Sequence, residues 1–332
     1  MGRHLIILNY HRASGDLYRH LLYLRRNYRI MHLEEALEEL YASNKAAVQK
    51  RDRRTPLVLT FDDGFSDLYT EAFPIVSKLQ VPITVFIIPG YIDSGNCFWW
   101  LIGSHFVEHA RAGKITIESR TYQLNRQEER KALAHVIYLH ARNARSVAER
   151  EEFLGMVREE LMVPSSILRD KGVVLNWAEI REMAASGWVS FGGHTMHHPV
   201  LSYLNDPGEV QHQVIECSAI MEQQLGQHVR IFAYPIGKAE HINEVAVEAV
   251  RSAGYDWAVT TIYGFNTPKS NPLQLRRIEI DMERHWLLLA ADVAGLRKPL
   301  VPVFSYASNL LSASRRFVHL RPRLSQLKRQ SF

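Results

Sequence analysis

Leu57-Val58-Leu59-Thr60-Phe61-Asp62-Asp63-Gly64-Phe65 is the stretch around which the rest of the chain reads. Its apolar run predicts a buried strand. The two carboxylates and the glycine that end it fall at the strand's C-terminal mouth, where α/β folds keep their chemistry. Adjacent aspartates repel each other unless something divides their roles, and a divalent metal does so by taking one as a ligand and leaving the other as a base. The plainer reading of the same residues is a strand end with an Asp-Gly turn and an aspartate helix cap.

Upstream, Leu5 to Tyr10 predicts a buried strand ending in His11-Arg12, followed by helices over Asp16 to Arg26 and Leu33 to Ala42 and a polar loop from Asn44 to Arg54. Downstream, Ser66-Asp67 starts a helix through Leu79 in which Pro74 is out of place, and Ile83 to Ile88 is a β-branched strand closed by Pro89-Gly90. Between Ile92 and Gly172 the strand rhythm stops, and Glu128 to Leu161 is charged with a helical period. A mostly helical insertion over residues 93–172 is therefore expected. Alternation then resumes with helices at Trp177 to Ala185, Pro207 to Leu225 and Ile242 to Ala253. Strands are expected at Trp188 to Phe191, Arg230 to Tyr234, Trp257 to Thr261 and Leu275 to Ile280. Seven strands alternating with helices predict an α/β fold with a parallel sheet, closed or nearly so.

A second chemical stretch is Ser190-Phe191-Gly192-Gly193-His194-Thr195-Met196-His197-His198-Pro199. A strand again ends at glycines, and histidines four apart can turn both rings to one side of a helical turn. With Asp63, His194 and His198 make a His-His-Asp set that leaves positions open for water and substrate. His197 points elsewhere on the same turn. The pair His105 and His109 has the same spacing but lies in the insertion, with no carboxylate strand beside it, and reads as surface or packing.

The chain has 332 residues, 46% hydrophobic content and a net charge of +5, enough for one large α/β domain with an insertion. We take residues 1–300 as that domain and 301–332 as a basic tail. After Asp292 there is no acidic residue, while Arg297, Lys298, Arg315, Arg316, Arg321, Arg323, Lys328 and Arg329 accumulate. The modest charge, concentrated in the tail, argues for no nucleic-acid partner. The tail's mix of leucines and basic residues suits either peripheral contact with an anionic membrane or a solvated end. No apolar run spans a bilayer and no cleavable signal pattern precedes the first strand, so a cytoplasmic location, with membrane association through the tail as a variant, is expected. Cys97 and Cys217 have no metal-type spacing and no disulfide framework, which agrees with a reducing compartment.

Three segments occur in one order: Thr60-Phe61-Asp62-Asp63-Gly64, His194-Thr195-Met196-His197-His198-Pro199 and Phe232-Ala233-Tyr234-Pro235-Ile236-Gly237. In order and spacing they resemble the polysaccharide deacetylases, the NodB-homology or carbohydrate esterase family 4 group. Tyr10-His11-Arg12 and Phe98-Trp99-Trp100 resemble the branch found in exopolysaccharide or O-antigen assembly. The resemblance implies a distorted (β/α)7 barrel and metal-dependent removal of acetyl groups from an N- or O-acetylated sugar of a polysaccharide or its precursor. The ion would be zinc, with nickel or cobalt as alternatives. Two rival readings stay open: a related carbon–nitrogen hydrolase such as a deformylase or amidase, and a carbohydrate-binding relative without catalysis.

On this resemblance Asp63, His194 and His198 hold the metal, Asp62 is the general base, and the backbone N–H of Ile236 stabilises the oxyanion. Tyr234 and Pro235 would line the substrate site. The family's late Leu-x-His acid has no clear counterpart, and His11, delivered to the mouth by the first strand, is the candidate acid or substrate contact. The third motif has Ala233 where an arginine is usual, and Arg277 on another strand end is the candidate to return that charge beside Asp62. Trp99 and Trp100 suit either a sugar-stacking wall or packing of the insertion.

Overall fold

The computed structural model describes residues 4–13, 16–43, 52–169, 173–282 and 286–295. The basic segment from 301 on, with the membrane reading attached to it, and most of the polar loop before Arg54 lie outside them. Strands β1 (Ile6–Tyr10), β2 (Arg29–Ile30), β3 (Pro56–Phe61) and β4 (Ile83–Ile87) come first, with helices α1 (Leu17–Asn27), α2 (Leu33–Tyr41) and α3 (Phe73–Leu79) between them. The insertion then carries α4 (Pro89–Ser94), α5 (Trp99–His109), strands β5 (Lys114–Ile117) and β6 (Arg120–Gln123), and α6 (Gln127–Asn143) and α7 (Val147–Glu160). The second half runs α8 (Trp177–Ala185), β7 (Val189–Gly193), α9 (Pro207–Leu225), β8 (Ile231–Ala233), α10 (Glu244–Ser252), β9 (Trp257–Tyr263), β10 (Leu275–Glu279) and α11 (Trp286–Val293).

All pairings in the main sheet are parallel, and β1 pairs with both β10 and β3, so β1, β3, β4, β7, β8, β9 and β10 close into a seven-stranded barrel. The two-residue β2 flanks β3 at its start. Period-two alternation sorts the strand residues. Ile6, Leu8, Leu57, Leu59 and Phe61 belong to the cluster under the surrounding helices, whereas Leu5, Ile7, Val58, Phe86, Ile231 and Leu275 fill a separate cluster with α2. That parity carries forward. Thr60 and Asp62 follow Val58 onto the barrel axis, and Asn9 follows Ile7.

One local expectation needs correction. The helical segment does run on to Leu79, but Asp67 makes no side-chain cap: a π-helical turn, Leu68–Ala72, continues directly into α3, and the Phe73 N–H reaches back to the Leu68 carbonyl just before Pro74, whose missing N–H falls where the ladder changes from π to α. The Asp67 carboxylate accepts instead from Arg12 Nε at 2.7 Å and from the Ala13 N–H at 3.2 Å. The insertion is mostly helical and also carries an antiparallel hairpin, β5 and β6, whose Ile115, Ile117 and Tyr122 enter the insertion's own core. No described helix is long and apolar enough to cross a membrane.

The insertion returns to the barrel mouth by specific contacts. The Asn205 N–H donates to the Arg145 carbonyl at 3.0 Å, the Val147 N–H donates to Glu209 Oε1 at 2.7 Å, and Arg142 Nη2 donates to His241 Nε2 at 2.9 Å. His241 is buried, and burial together with the Arg142 charge pulls its pKa down to about 4. A group depressed in the folded state contributes stability above its unfolded pKa that is lost as pH falls through the folded one. The parent is therefore expected to lose stability relative to His241→Gln between about pH 6.5 and 4. Thermal midpoints of the two proteins across that range check this; a constant difference would refute it.

Candidate active site

The strand ends at the barrel mouth converge on one cluster. Asp63 Oδ1 lies 3.5 Å from His194 Nε2 and 3.6 Å from His198 Nε2, and one ligand atom from each of the three lies within 4.8 Å of the others. Among the described residues no other group of three or more His, Cys, Asp or Glu side chains is arranged to hold a metal. His105 and His109 are not brought to the mouth; His109 Nδ1 bonds the His105 carbonyl on α5.

The backbone is bent to reach this arrangement. Asp63 (φ 76°), Thr195 (φ 65°), His198 (φ 53°) and Ile236 (φ 59°) all occupy the left-handed region, which non-glycine residues take at a cost. Gly64 shares the turn at φ 75°. Gly193 is required for closeness: a Cβ there would stand 2.3 Å from the Tyr255 hydroxyl and 3.2 Å from Cys217 Sγ.

The donor set fits a divalent cation. The Ala233 carbonyl can only accept, so the His194 Nδ1 that meets it at 2.7 Å carries a proton, and in the neutral ring the lone pair is then on Nε2. That lone pair faces a carboxylate oxygen, a repulsive juxtaposition unless a cation lies between them. Tetrahedral ligands about 2.0–2.2 Å from a zinc ion stand roughly 3.3–3.6 Å apart, the spacing of Asp63 Oδ1 from each of the two histidines. Burial, then the neighbouring charges of His194, Arg150 and His11, holds the His198 pKa well below the ordinary value, favouring the neutral ligating ring.

Asp62 is not a member of this set. Arg277 grips it with two bonds, Nη1 to Oδ1 at 2.8 Å and Nη2 to Oδ2 at 2.7 Å, and both side chains are almost fully buried. The same guanidinium reaches Asn9 Oδ1 and Thr60 Oγ1 at 3.0 Å and the Thr260 carbonyl at 2.8 Å. Burial favours the neutral acid, but the charge and hydrogen bonds of Arg277, with His194 and His11, outweigh it and bring Asp62 down to about 2. Arg277 follows Leu275 onto the inner face of β10 by period-two alternation and is buried, while Arg276 between them stays exposed.

His11 is half-buried just beyond β1, near enough for its charge to bear on both Asp62 and His198. The Ile236 N–H makes no hydrogen bond among the described residues, while the Ile236 carbonyl accepts from Thr261 Oγ1 at 2.7 Å. Of the four residues expected at the substrate, only Trp100 keeps exposed surface. Its ring centroid is 4.4 Å from that of His198, and it stacks on Phe98. Trp99 is 2% exposed, stacks on Tyr138 inside the insertion core and donates to the His198 carbonyl at 3.0 Å, so it packs rather than forming a wall. Tyr234 and Pro235 are buried as well. Sequence reasoning missed Arg150, a buried cation on α7 that donates to the His197 carbonyl at 3.0 Å; an arginine in a charged helix gives no signal of burial.

A closed barrel of seven parallel strands with an Asp-His-His cluster at the strand ends matches the NodB-type barrel. The chain belongs to the polysaccharide deacetylase family, whose model matches residues 49–151 and 138–258. It is 22% identical over 239 residues to the polysaccharide deacetylase-family protein YxkH of Bacillus subtilis (strain 168), a match over 72% of this chain and 56% of that relative's length. The chain thus aligns with little more than half of that relative. Among solved structures, it is similar in fold to IcaB from Ammonifex degensii, with a TM-score of 0.55 and 20% identity over 88% of this chain and 98% of that one. It is also similar to the deacetylase PplD of Streptococcus pyogenes in complex with acetate, with a TM-score of 0.56 and 18% identity over 88% of this chain and 99% of that one. Membership indicates a hydrolase of the carbohydrate deacetylase class.

Proposed function

We propose that the protein is a metal-dependent deacetylase of an N-acetylated or O-acetylated sugar belonging to a polysaccharide or its precursor. The observation that carries this reading is the division of the Asp-Asp pair: Asp63 faces two imidazole nitrogens while Asp62 is held apart by Arg277. A divalent ion at Asp63, His194 and His198, with zinc the first choice, would lower the pKa of a bound water and polarise the acetyl carbonyl. Asp62, kept ionised, takes the proton of the attacking water. The Ile236 N–H meets the oxygen on which charge develops. His11 gives a proton to the leaving amine, and Trp100 offers an aromatic face to the sugar ring. The two free, buried cysteines suit a cytoplasmic location within the same reading.

The test is acetate release from a panel of acetylated sugars together with metal analysis. The parent is expected to bind one zinc per chain and to release acetate, and His194→Ala to lose stoichiometric metal. Zinc retained at parental stoichiometry in that variant would remove the ligand assignment. Formate or ammonia release in place of acetate would favour the deformylase or amidase alternative, and zinc binding without any turnover would favour the carbohydrate-binding one.

His11 has its own signature. Acetamides leave as poor amines that must be protonated, whereas activated esters need no acid, so His11→Ala is expected to depress acetamide turnover roughly a hundredfold and largely spare such esters. Metal occupancy should be unchanged. Equal losses on both substrate types would assign His11 to binding instead.

A further inference from the structure

The two histidines are held in different ways. The His194 ring is oriented through its second nitrogen on the Ala233 carbonyl, the usual device for fixing a ligand imidazole. The buried Nδ1 of His198 has no partner on any other described residue. Its backbone also sits in the left-handed region, which persists only where the surroundings over-determine it.

Those surroundings come from the insertion. Trp99 Nε1, on α5, donates to the His198 carbonyl at 3.0 Å, and Arg150 Nη1, on α7, donates to the His197 carbonyl at 3.0 Å. Both side chains are 2% exposed, and the guanidinium carbon of Arg150 lies 5.6 Å from the centroid of the Trp99 ring. The barrel ties the opposite side of the turn: the Met196 and His197 N–H groups donate to the carbonyl and Oε1 of Gln213 at 3.0 and 2.9 Å, and the His198 N–H donates to Thr195 Oγ1 at 2.9 Å. A buried arginine is expensive, and Glu151 meets only its Nε while Nη2 finds no partner. Stability alone would favour an apolar residue there.

We propose that Arg150 and Trp99 are positioning residues for the second histidine ligand. They clamp two consecutive carbonyls, 197 and 198, and so aim His198 Nε2 at Asp63 without a hydrogen bond to the ring. The helical insertion is thereby part of the metal centre. The inference rests on reading Asp63, His194 and His198 as metal ligands.

The experiment is a zinc titration of the full-length apoprotein against a chelating dye. Arg150→Met keeps the length and apolar stem and removes the donor, and zinc affinity is expected to fall about 10–100-fold with secondary structure retained. Arg150→Lys, which still donates to the His197 carbonyl, is expected to recover most of the loss. Trp99→Phe keeps a ring and removes only the indole N–H, and its zinc affinity should fall in the same direction. It carries the test if Arg150→Met does not fold. A merely structural role would lower the thermal midpoint of the apoproteins and leave the zinc Kd of the folded variants at the parental value; that result overturns the proposal, as does failure of lysine to rescue. A parent that itself binds no zinc strikes at the ligand assignment instead, so the two failures are distinct.

Discussion

Asp62→Asn is expected to keep its zinc and lose acetamide turnover by roughly 10²–10⁴-fold, the span ascribed to a positioned general base. Asparagine has nearly the same shape and retains one oxygen for Arg277, but it cannot accept the water's proton. The site around it should hold, because Arg277 keeps Asn9, Thr60 and the Thr260 carbonyl as partners after the carboxylate is gone. Asp63, His194 and His198 are untouched. Single-turnover acetate release and zinc content on the same preparation check the two halves of the expectation. Turnover at the parental level would transfer the base role to another residue, and loss of zinc would mean that the two aspartates are not divided as drawn.

Arg277→Met is expected to be the most destabilising change at the site, about 3–5 kcal/mol, because it strands a carboxylate that is 2% exposed without its counter-charge. Methionine fills much of the stem volume, so the cost reports the charge rather than a cavity. The double variant Arg277→Met with Asp62→Asn removes both charges and should recover a large part of the loss. Arg277→Lys is not a conservative replacement, since one ammonium cannot reproduce two parallel bonds to Asp62 while also serving Asn9, Thr60 and Thr260. Denaturant midpoints of the four proteins, with an unchanged slope as evidence of the same unfolding, read the cycle. Additive losses in the double variant would show that the pair is not coupled and that Arg277 acts through packing.

The legible part of this protein lies in short segments with strong local patterns. The run from Leu57 to Phe61 reads as a buried strand and is one, and a strand that ends in Asp62-Asp63-Gly64 puts both acids at its C-terminal end. The bounds of α8 and α9 match the expected ones, because Asn176 and Asp206 accept from N–H groups at their starts and Gly226 closes α9 in the left-handed conformation. Period-two alternation also decides that Thr60 and Asp62 share the inner face with Val58.

Tertiary structure decided what alternation and spacing do not encode. Barrel closure depends on β1 finding β3 and β10, partners 50 and more residues away, and no local signal distinguishes a closed sheet from an open one. Alternation puts the neighbouring Arg276 and Arg277 on opposite sides of β10, but the carboxylate that the inner one meets, Asp62, lies 215 residues away and is set by barrel closure. Trp99 and Trp100 divide in the same way: α5 turns one into the insertion core and leaves the other beside His198. Arg150 was invisible for the same physical reason. A side chain's role is set by the neighbour it meets, and the carbonyls of His197 and His198 stand 47 and 99 residues along the chain from the donors that hold them.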